Sequence, residues 1–275
     1  RTTDAASLRI AGLQGLGEIP SWDGSSAFTG GQVKAVDEYN TTGITLNYVQ
    51  YGAQMTVSRA DRFDVPETLG FASQKLGFAV ANTYAKQAFT SLAGGFTGGT
   101  KTGDDVDLFH DNHTTAAGGS NYRVNMITSA LDPSGLMAAI KAARAWTSFD
   151  GAPYDLVSAG FYLVVPVELE EAAHQAVRSV FTLTNATDTA GQGLNNVAGN
   201  YISPADIIVS PHFATTNDWC LISKIESPLV FWERLSPELR VTEDPDTLVT
   251  KITCDFAIAV GCHSEPSVAI GSKVS

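Results

Sequence analysis

Two histidines three residues apart, His110 and His113, stand close to Asp104, Asp105, Asp107 and Asp111. Imidazole nitrogens and carboxylate oxygens are ligand atoms for zinc and other divalent ions, so Asp107, His110, Asp111 and His113 could hold a metal that activates water for hydrolysis. The spacing is not that of the zinc-protease motif, which sets two histidines four apart on a helix with a glutamate base between them. Solvated turn residues are the competing reading. Upstream, Gly95-Phe-Thr-Gly98-Gly99-Thr-Lys101-Thr102 has the residue types of a phosphate-binding loop. Its lysine follows Thr100 and not a glycine, and the segment trails a helical pattern where such loops trail a strand, so it reads as a flexible joint. No G-x-S-x-G elbow occurs, and His174 and His212 lack a nucleophile companion. Asp64, Glu67, Glu168, Glu170 and Glu171 fall at helix starts, where capping and the helix dipole explain carboxylates without catalysis. The chain therefore presents no catalytic constellation, and no enzyme activity, cofactor or metal is expected.

Composition points the same way. The 275 residues are 44% hydrophobic, enough for a core of one large or two moderate domains, while 17% are charged, leaving a largely neutral surface suited to packing against neighbours. Seventeen Lys and Arg against 29 Asp and Glu give a net charge of -12, which excludes a protein built to grip nucleic acid and leaves local, weak contact. Cys220, Cys254 and Cys262 are an odd number without metal-ligand spacing, and buried free thiols are expected. No apolar run reaches the ~20 residues needed to span a bilayer. The chain opens on Arg1 without Met, as after removal of a leader or when numbering starts inside a longer product.

The elements that would position these residues follow from periodicity. Residues 1–32, rich in Gly, Ser and Thr, read as an extended arm with Trp22 and Phe28 as isolated large apolar residues. Between Val33 and Phe63, alternation of Ile44, Leu46 and Tyr48 gives way, after a one-residue phase shift, to Val49, Tyr51, Ala53, Met55 and Val57, which predicts strands with a bulge near Val49. Pro66 and Gly94-Gly95 bound a helix over 67–93. Leu69, Ala72, Leu76, Val80 and Tyr84 line one apolar side of it and Phe71, Phe78 and Phe89 a second, so it is expected to be packed on two sides. Lys75 and Lys86 are eleven apart, within about 20° of each other at ~100° per residue, with Asn82 between them. Asp132-Pro133-Ser134 starts a second helix running to about Thr147. Phe161 to Val165 makes a buried strand, Pro166 a turn, and the carboxylates of Glu168, Glu170 and Glu171 open a helix to about Val180. Residues 183–203 read as an exposed loop, and strands near 206–210, 219–225, 229–235 and 248–260 finish the chain.

The order of these segments, with Leu108-Phe-His110, Tyr162-Leu-Val-Val-Pro166, Ile208-Val-Ser-Pro211, Trp219-Cys-Leu and Pro228-Leu-Val-Phe-Trp-Glu-Arg234, resembles the major head proteins of Mu-like phages over about residues 45–262. The resemblance implies an α+β fold of the Hong Kong 97 type. Its parts would be an N-terminal arm at 1–30, an extended loop (a β-hairpin) at 31–62, a peripheral domain at 63–149 with a spine helix at 67–93, an axial domain at 150–225, and return strands of the peripheral domain at 226–275. It implies a structural major capsid protein that self-assembles, as hexameric and pentameric capsomers, into the icosahedral head around the double-stranded DNA of a tailed bacteriophage. Portal and decoration or scaffold proteins would be partners, with assembly in the host bacterial cytoplasm, location in the virion and no membrane. In that fold the spine helix faces inward, so Lys75, Asn82 and Lys86 would face the genome. Lys34 is the only lysine of the extended loop, which makes a lysine-asparagine cross-link between subunits improbable. An encapsulin-type compartment and a metal-dependent hydrolase using His110 and His113 are the alternatives.

Overall fold

The structure, a computed structural model, describes residues 7–13, 41–113, 124–146, 158–178, 181–182, 194–213, 215–262 and 269–274. It opens with β1 (Ser7–Leu13), β2 (Thr41–Asn47), β3 (Val49–Val57), α1 (Arg59–Asp64) and α2 (Thr68–Gly94). Beyond the glycine-rich joint come β4 (Met126–Ile127), α3 (Pro133–Arg144), β5 (Phe161–Val165), α4 (Glu170–Arg178), β6 (Phe181–Thr182) and β7 (Leu194–Asn195). The chain ends with β8 (Ile207–Val209), β9 (Trp219–Ser223), β10 (Leu229–Glu243), β11 (Thr250–Cys262) and β12 (Ala269–Ser272). The mixture is α+β, as expected.

One layer is the antiparallel sheet β10-β11-β3 with α2 lying on it. Leu76 and Ala72 close over Val57 and Ile252, and further along Val80 and Tyr84 meet Cys254, Phe256 and Ile258. Alternate residues of a strand share a face, so Ile252, Cys254, Phe256 and Ile258 of β11 make one apolar row under the helix. Four rings tie the layer together: Tyr51 stacks on Phe256 at 5.2 Å, Phe256 on Tyr84 at 5.5 Å, and Tyr84 on Phe231 at 6.1 Å. The Tyr84 hydroxyl donates to Glu233 Oε1 at 2.6 Å, and burial together with that carboxylate pushes the phenol pKa up. The helix bounds lie within a residue of the expected 67–93. Packing on two sides is corrected for the single subunit, because Phe71 is 53% exposed and Phe78 75%.

Of the hairpin expected inside 31–62, residues 31–40 lie outside the described residues, and the two strands that follow take partners elsewhere in the chain. β2 pairs antiparallel with β1, from Ser7↔Asn47 to Leu13↔Thr41, so residues read as part of the extended arm supply the second strand. At Tyr48 the chain leaves the ribbon, and β3 joins β11 from Val49↔Ile258 to Val57↔Thr250. The phase shift near Val49 is thus a change of partner and not a bulge within one strand.

The second layer is a mixed five-stranded sheet, β4-β12-β9-β5-β8, with α3 and α4 on one face. Leu136, Ile140, Ala173 and Val177 from the helices meet Phe161, Leu163, Trp219 and Leu221 from the strands. The Asp132 side chain caps α3 by accepting from Gly135 N at 2.6 Å, and Pro133 begins the first turn, where its missing N–H costs nothing. The helix stops at Arg144, three residues before the expected end. α3, expected within 63–149, and β12, expected within 226–275, both join this sheet. Ala198 and Ile202, inside the stretch read as an exposed loop, are fully buried in its core.

A third apolar cluster joins the layers: Leu92 and Phe96 at the end of α2 meet Phe109, Val164, Phe213, Cys220 and Cys262. All three cysteines are free and buried, and burial alone drives the Cys220 thiol pKa upward. Gly271 sits against this cluster, where an added Cβ would lie 2.5 Å from Phe109 and 2.7 Å from Phe96. Those rings are buried and stacked at 4.3 Å, so neither yields easily. Gly271→Ala is expected to destabilise the fold by about 1–3 kcal/mol through overpacking, read from the denaturant midpoint; an unchanged midpoint would refute it.

Candidate functional site

The joint between the layers gathers most of the residues that could do chemistry, and its geometry turns His113 and Asp104 inward while Lys101, Asp105 and Asp111 stay exposed. His113 is fully buried, with Nδ1 3.0 Å from Asp104 Oδ2 and Nε2 3.3 Å from the Leu108 carbonyl. The Asp104 side chain is itself 5% exposed. Its other oxygen accepts from the Thr102 hydroxyl and from Val106 N, which closes the turn. The His110 side chain is 37% exposed, with Nδ1 3.2 Å from Asp111 Oδ1. The two rings are 6.4 Å apart and nearly perpendicular, and among the described residues no group of three His, Cys, Asp or Glu could hold a metal ion. Asp107 lies beside Gly98, across the turn, and Lys101 pairs with Asp105 at 2.9 Å.

Sequence reasoning missed the centre of this arrangement, Asn125. Its amide donates to Leu108 O at 2.6 Å and Ala269 O at 3.2 Å, and its oxygen accepts from His110 N at 2.9 Å. One buried side chain thereby ties the joint to the start of β12. A lone asparagine after a weakly patterned stretch carries no signal of such a role.

On α2 the expected polar stripe is present: Lys75, Asn82 and Lys86 are all exposed. The structure adds His212, whose Nε2 lies 2.9 Å from Asn82 Oδ1 and which arrives from the loop after β8. Beside the stripe lie Phe71 and Phe78. Further large apolar side chains are open at the end of the three-stranded sheet where Arg62 of α1 bonds Thr250 at 3.3 Å: Phe63 and Val65 after it, Leu239 and Val241 on β10, and Leu248 in the turn. In that turn Asp244 accepts from Lys251 at 2.7 Å, and the ammonium, helped by Asp246 N, lowers the carboxyl pKa to about 2. A lowered carboxyl pKa supports the folded turn at neutral pH and loses that support as pH falls from about 4 toward 2. Scattered exposed apolar residues are ordinary, whereas several gathered at one end of a sheet are a feature of interaction surfaces.

Among the described residues the candidate ligand side chains are not brought together at one site, and what the two-layered body presents outward are the polar stripe and the open apolar side chains. The same fold occurs in shell proteins. The chain superposes on the capsid of Ralstonia phage GP4 with a TM-score of 0.59 at 11% identity, covering 100% of this chain and 85% of that one. It superposes on the capsid of cyanophage P-SCSP1u at 0.55 and 15% identity, covering 100% and 85%. It superposes on the virus-like particle from Pyrococcus furiosus at 0.53 and 12% identity, covering 99% and 88%. No curated protein sequence matches the chain. A family model described as phage capsid protein matches residues 42–269, and the chain belongs to that family. Its role is structural, as the major, self-associating subunit of a virion shell, and not catalytic. The resemblance read from the sequence holds at this level, and neither the encapsulin nor the hydrolase alternative is favoured. No described helix is long and apolar enough to cross a membrane.

Proposed function

We propose that the chain builds the icosahedral head around the double-stranded DNA of a tailed phage, through hexameric and pentameric capsomers assembled in the host cytoplasm and completed by portal and decoration or scaffold proteins. The observation that carries this reading is the set of large apolar side chains left open on α2 and at the far end of its sheet, surfaces suited to cover by neighbouring molecules. In this reading residues 1–30 and 31–62 are the arm and the extended loop overlapping a neighbour, and α2 is the spine of the peripheral domain, with β10 and β11 as its return strands. The axial domain, 150–225, also draws in α3 and β12. Sedimentation of the purified protein tests the reading: it requires a fast, homogeneous boundary, and a slow boundary of monomers or small oligomers sinks it.

The same reading turns Lys75, Asn82 and Lys86 toward the genome. A subunit of net charge -12 repels DNA, and two lysines repeated over a shell give diffuse, salt-sensitive attraction without sequence reading. Both lysines are exposed. Changing both to glutamine is expected to leave shells intact and to lower genome retention at low salt. Retention unchanged across the salt range would remove the DNA role and leave the lysines as a solvated face.

A further inference from the structure

The three-stranded sheet has two edges treated in opposite ways. β10 is guarded: it carries Glu233, Arg234, Pro237, Glu238 and Arg240, and its register with β11 shifts twice, between Glu233 and Leu235 and between Leu235 and Glu238. Charges, proline and bulges are the devices that stop an edge from pairing with another chain. β3 has none of them. Val49-Gln-Tyr-Gly-Ala-Gln-Met-Thr-Val57 is nine residues without a charge, a proline or a register break, and among the described residues its outer edge pairs with nothing.

Along that edge, where β3 meets α2, run two cavities that share Tyr51. The first, about 130 Å³, is lined by Tyr51, Gly52, Ala53, Ala79, Val80 and Phe256 among others. That is close to the roughly 150 Å³ at which a dry apolar cavity takes up a benzene-sized guest. The second, about 310 Å³, mixes Val49 and Ile258 with Asn47, Gln87, Ser91 and Thr100. No charged residue lines either one. Gly52 is not needed for closure, since an added Cβ would meet only Cys254 O at 3.8 Å, an ordinary contact; its bareness keeps the groove open.

We infer that the β3 edge is a strand-acceptor site for a second copy of this chain, which adds an extended segment to the sheet, sets one large apolar side chain in the smaller cavity and a polar one in the larger. Main-chain pairing supplies affinity in such strand addition, and the pockets under alternate side chains supply selectivity. Two observations select a copy as the occupant. Copies of net charge -12 repel one another, and a groove without charge is where they meet at least electrostatic cost. The chain also carries a donor: the β1–β2 ribbon touches the body at its root, where Leu46 crowds Gly261, and its outer edges pair with nothing among the described residues. A lone two-stranded ribbon is marginal in water and gains from a third strand. The inference rests on the shell reading and adds where an overlapping neighbour lands.

Hydrogen exchange on the wild-type protein, assembled and unassembled, tests it. About half of the β3 amides, those pointing to the open edge, are expected to exchange at least roughly tenfold more slowly in particles than in free subunits. Equal exchange in the two states, or full protection of β3 already in the free subunit, overturns the inference while leaving particle formation untouched. Ala79→Phe, at an exposed helix position that lines the smaller cavity, should keep the free subunit's melting temperature and lower particle yield at least about tenfold. Wild-type yield from a folded Ala79→Phe protein also overturns it. Absence of wild-type particles would instead sink the shell reading itself.

Discussion

Removal of residues 1–25 is expected to leave a folded subunit that forms no stable shells. The deletion takes away β1 and strips β2 of all seven of its register partners. Of the described residues it removes only β1, which belongs to neither sheet of the body, to neither large apolar cluster, nor to the joint built on Asn125. The body's stability resides in those clusters, so the melting temperature should move by no more than the roughly 2–4 °C that 1 kcal/mol produces in a chain of this size. Assembly should fail because the ribbon can no longer form and present strands to a neighbour. Calorimetry and size-exclusion chromatography on one preparation separate the two effects. Complete particles from the truncated protein would show that the ribbon is dispensable, and loss of cooperative melting would show that it belongs to the body.

The second large effect is expected at His113. Replacement by alanine removes the ring nitrogen that lies 3.0 Å from Asp104 Oδ2, in a site where both side chains are almost wholly buried. Removing one partner of a buried hydrogen bond leaves the other unsatisfied and costs about 1–3 kcal/mol. The Leu108 carbonyl keeps its bond from Asn125, which limits further loss. His110→Ala is the contrast: that ring is partly exposed, and its loss should change stability by about 0.5 kcal/mol or less. Urea midpoints of the two variants measure the difference. Equal midpoints would mean that the buried pair contributes no stability. A metal-dependent turnover abolished by either substitution would contradict the structural role altogether.

These contrasts mark how far the sequence could be read. Elements set by local chemistry were legible: Pro66 and Gly94-Gly95 bracket α2 to within a residue, Asp132-Pro133 starts α3, and the apolar run Phe161 to Val165 is β5. Their signals lie in the residues themselves. Partners were less legible, because pairing joins segments far apart in the chain. Nothing in Ser7–Leu13 announces that its partner is Thr41–Asn47, and the alternation through Val57 looks continuous although two different sheets share it. Burial of Ala198 and Ile202 hides within a Thr-, Asn- and Gly-rich stretch whose composition reads as solvent-exposed. Phe71, Phe78 and Phe89 fall on similar helix angles and looked like one buried side. Phe89 meets the joint cluster while the other two stay open, since the described residues of α2 in that cluster are Phe89, Leu92 and Ala93, in its last turns. Among the candidate site residues, the lysine stripe followed from spacing alone, whereas His212 reached Asn82 from 130 positions away, beyond any local pattern.

The measurement that bears most directly on the central claim is negative-stain electron microscopy of the purified full chain. Closed shells of uniform diameter, built from this subunit alone or with a scaffold partner supplied, are the predicted result. Dispersed monomers or small oligomers under every assembly condition would contradict it.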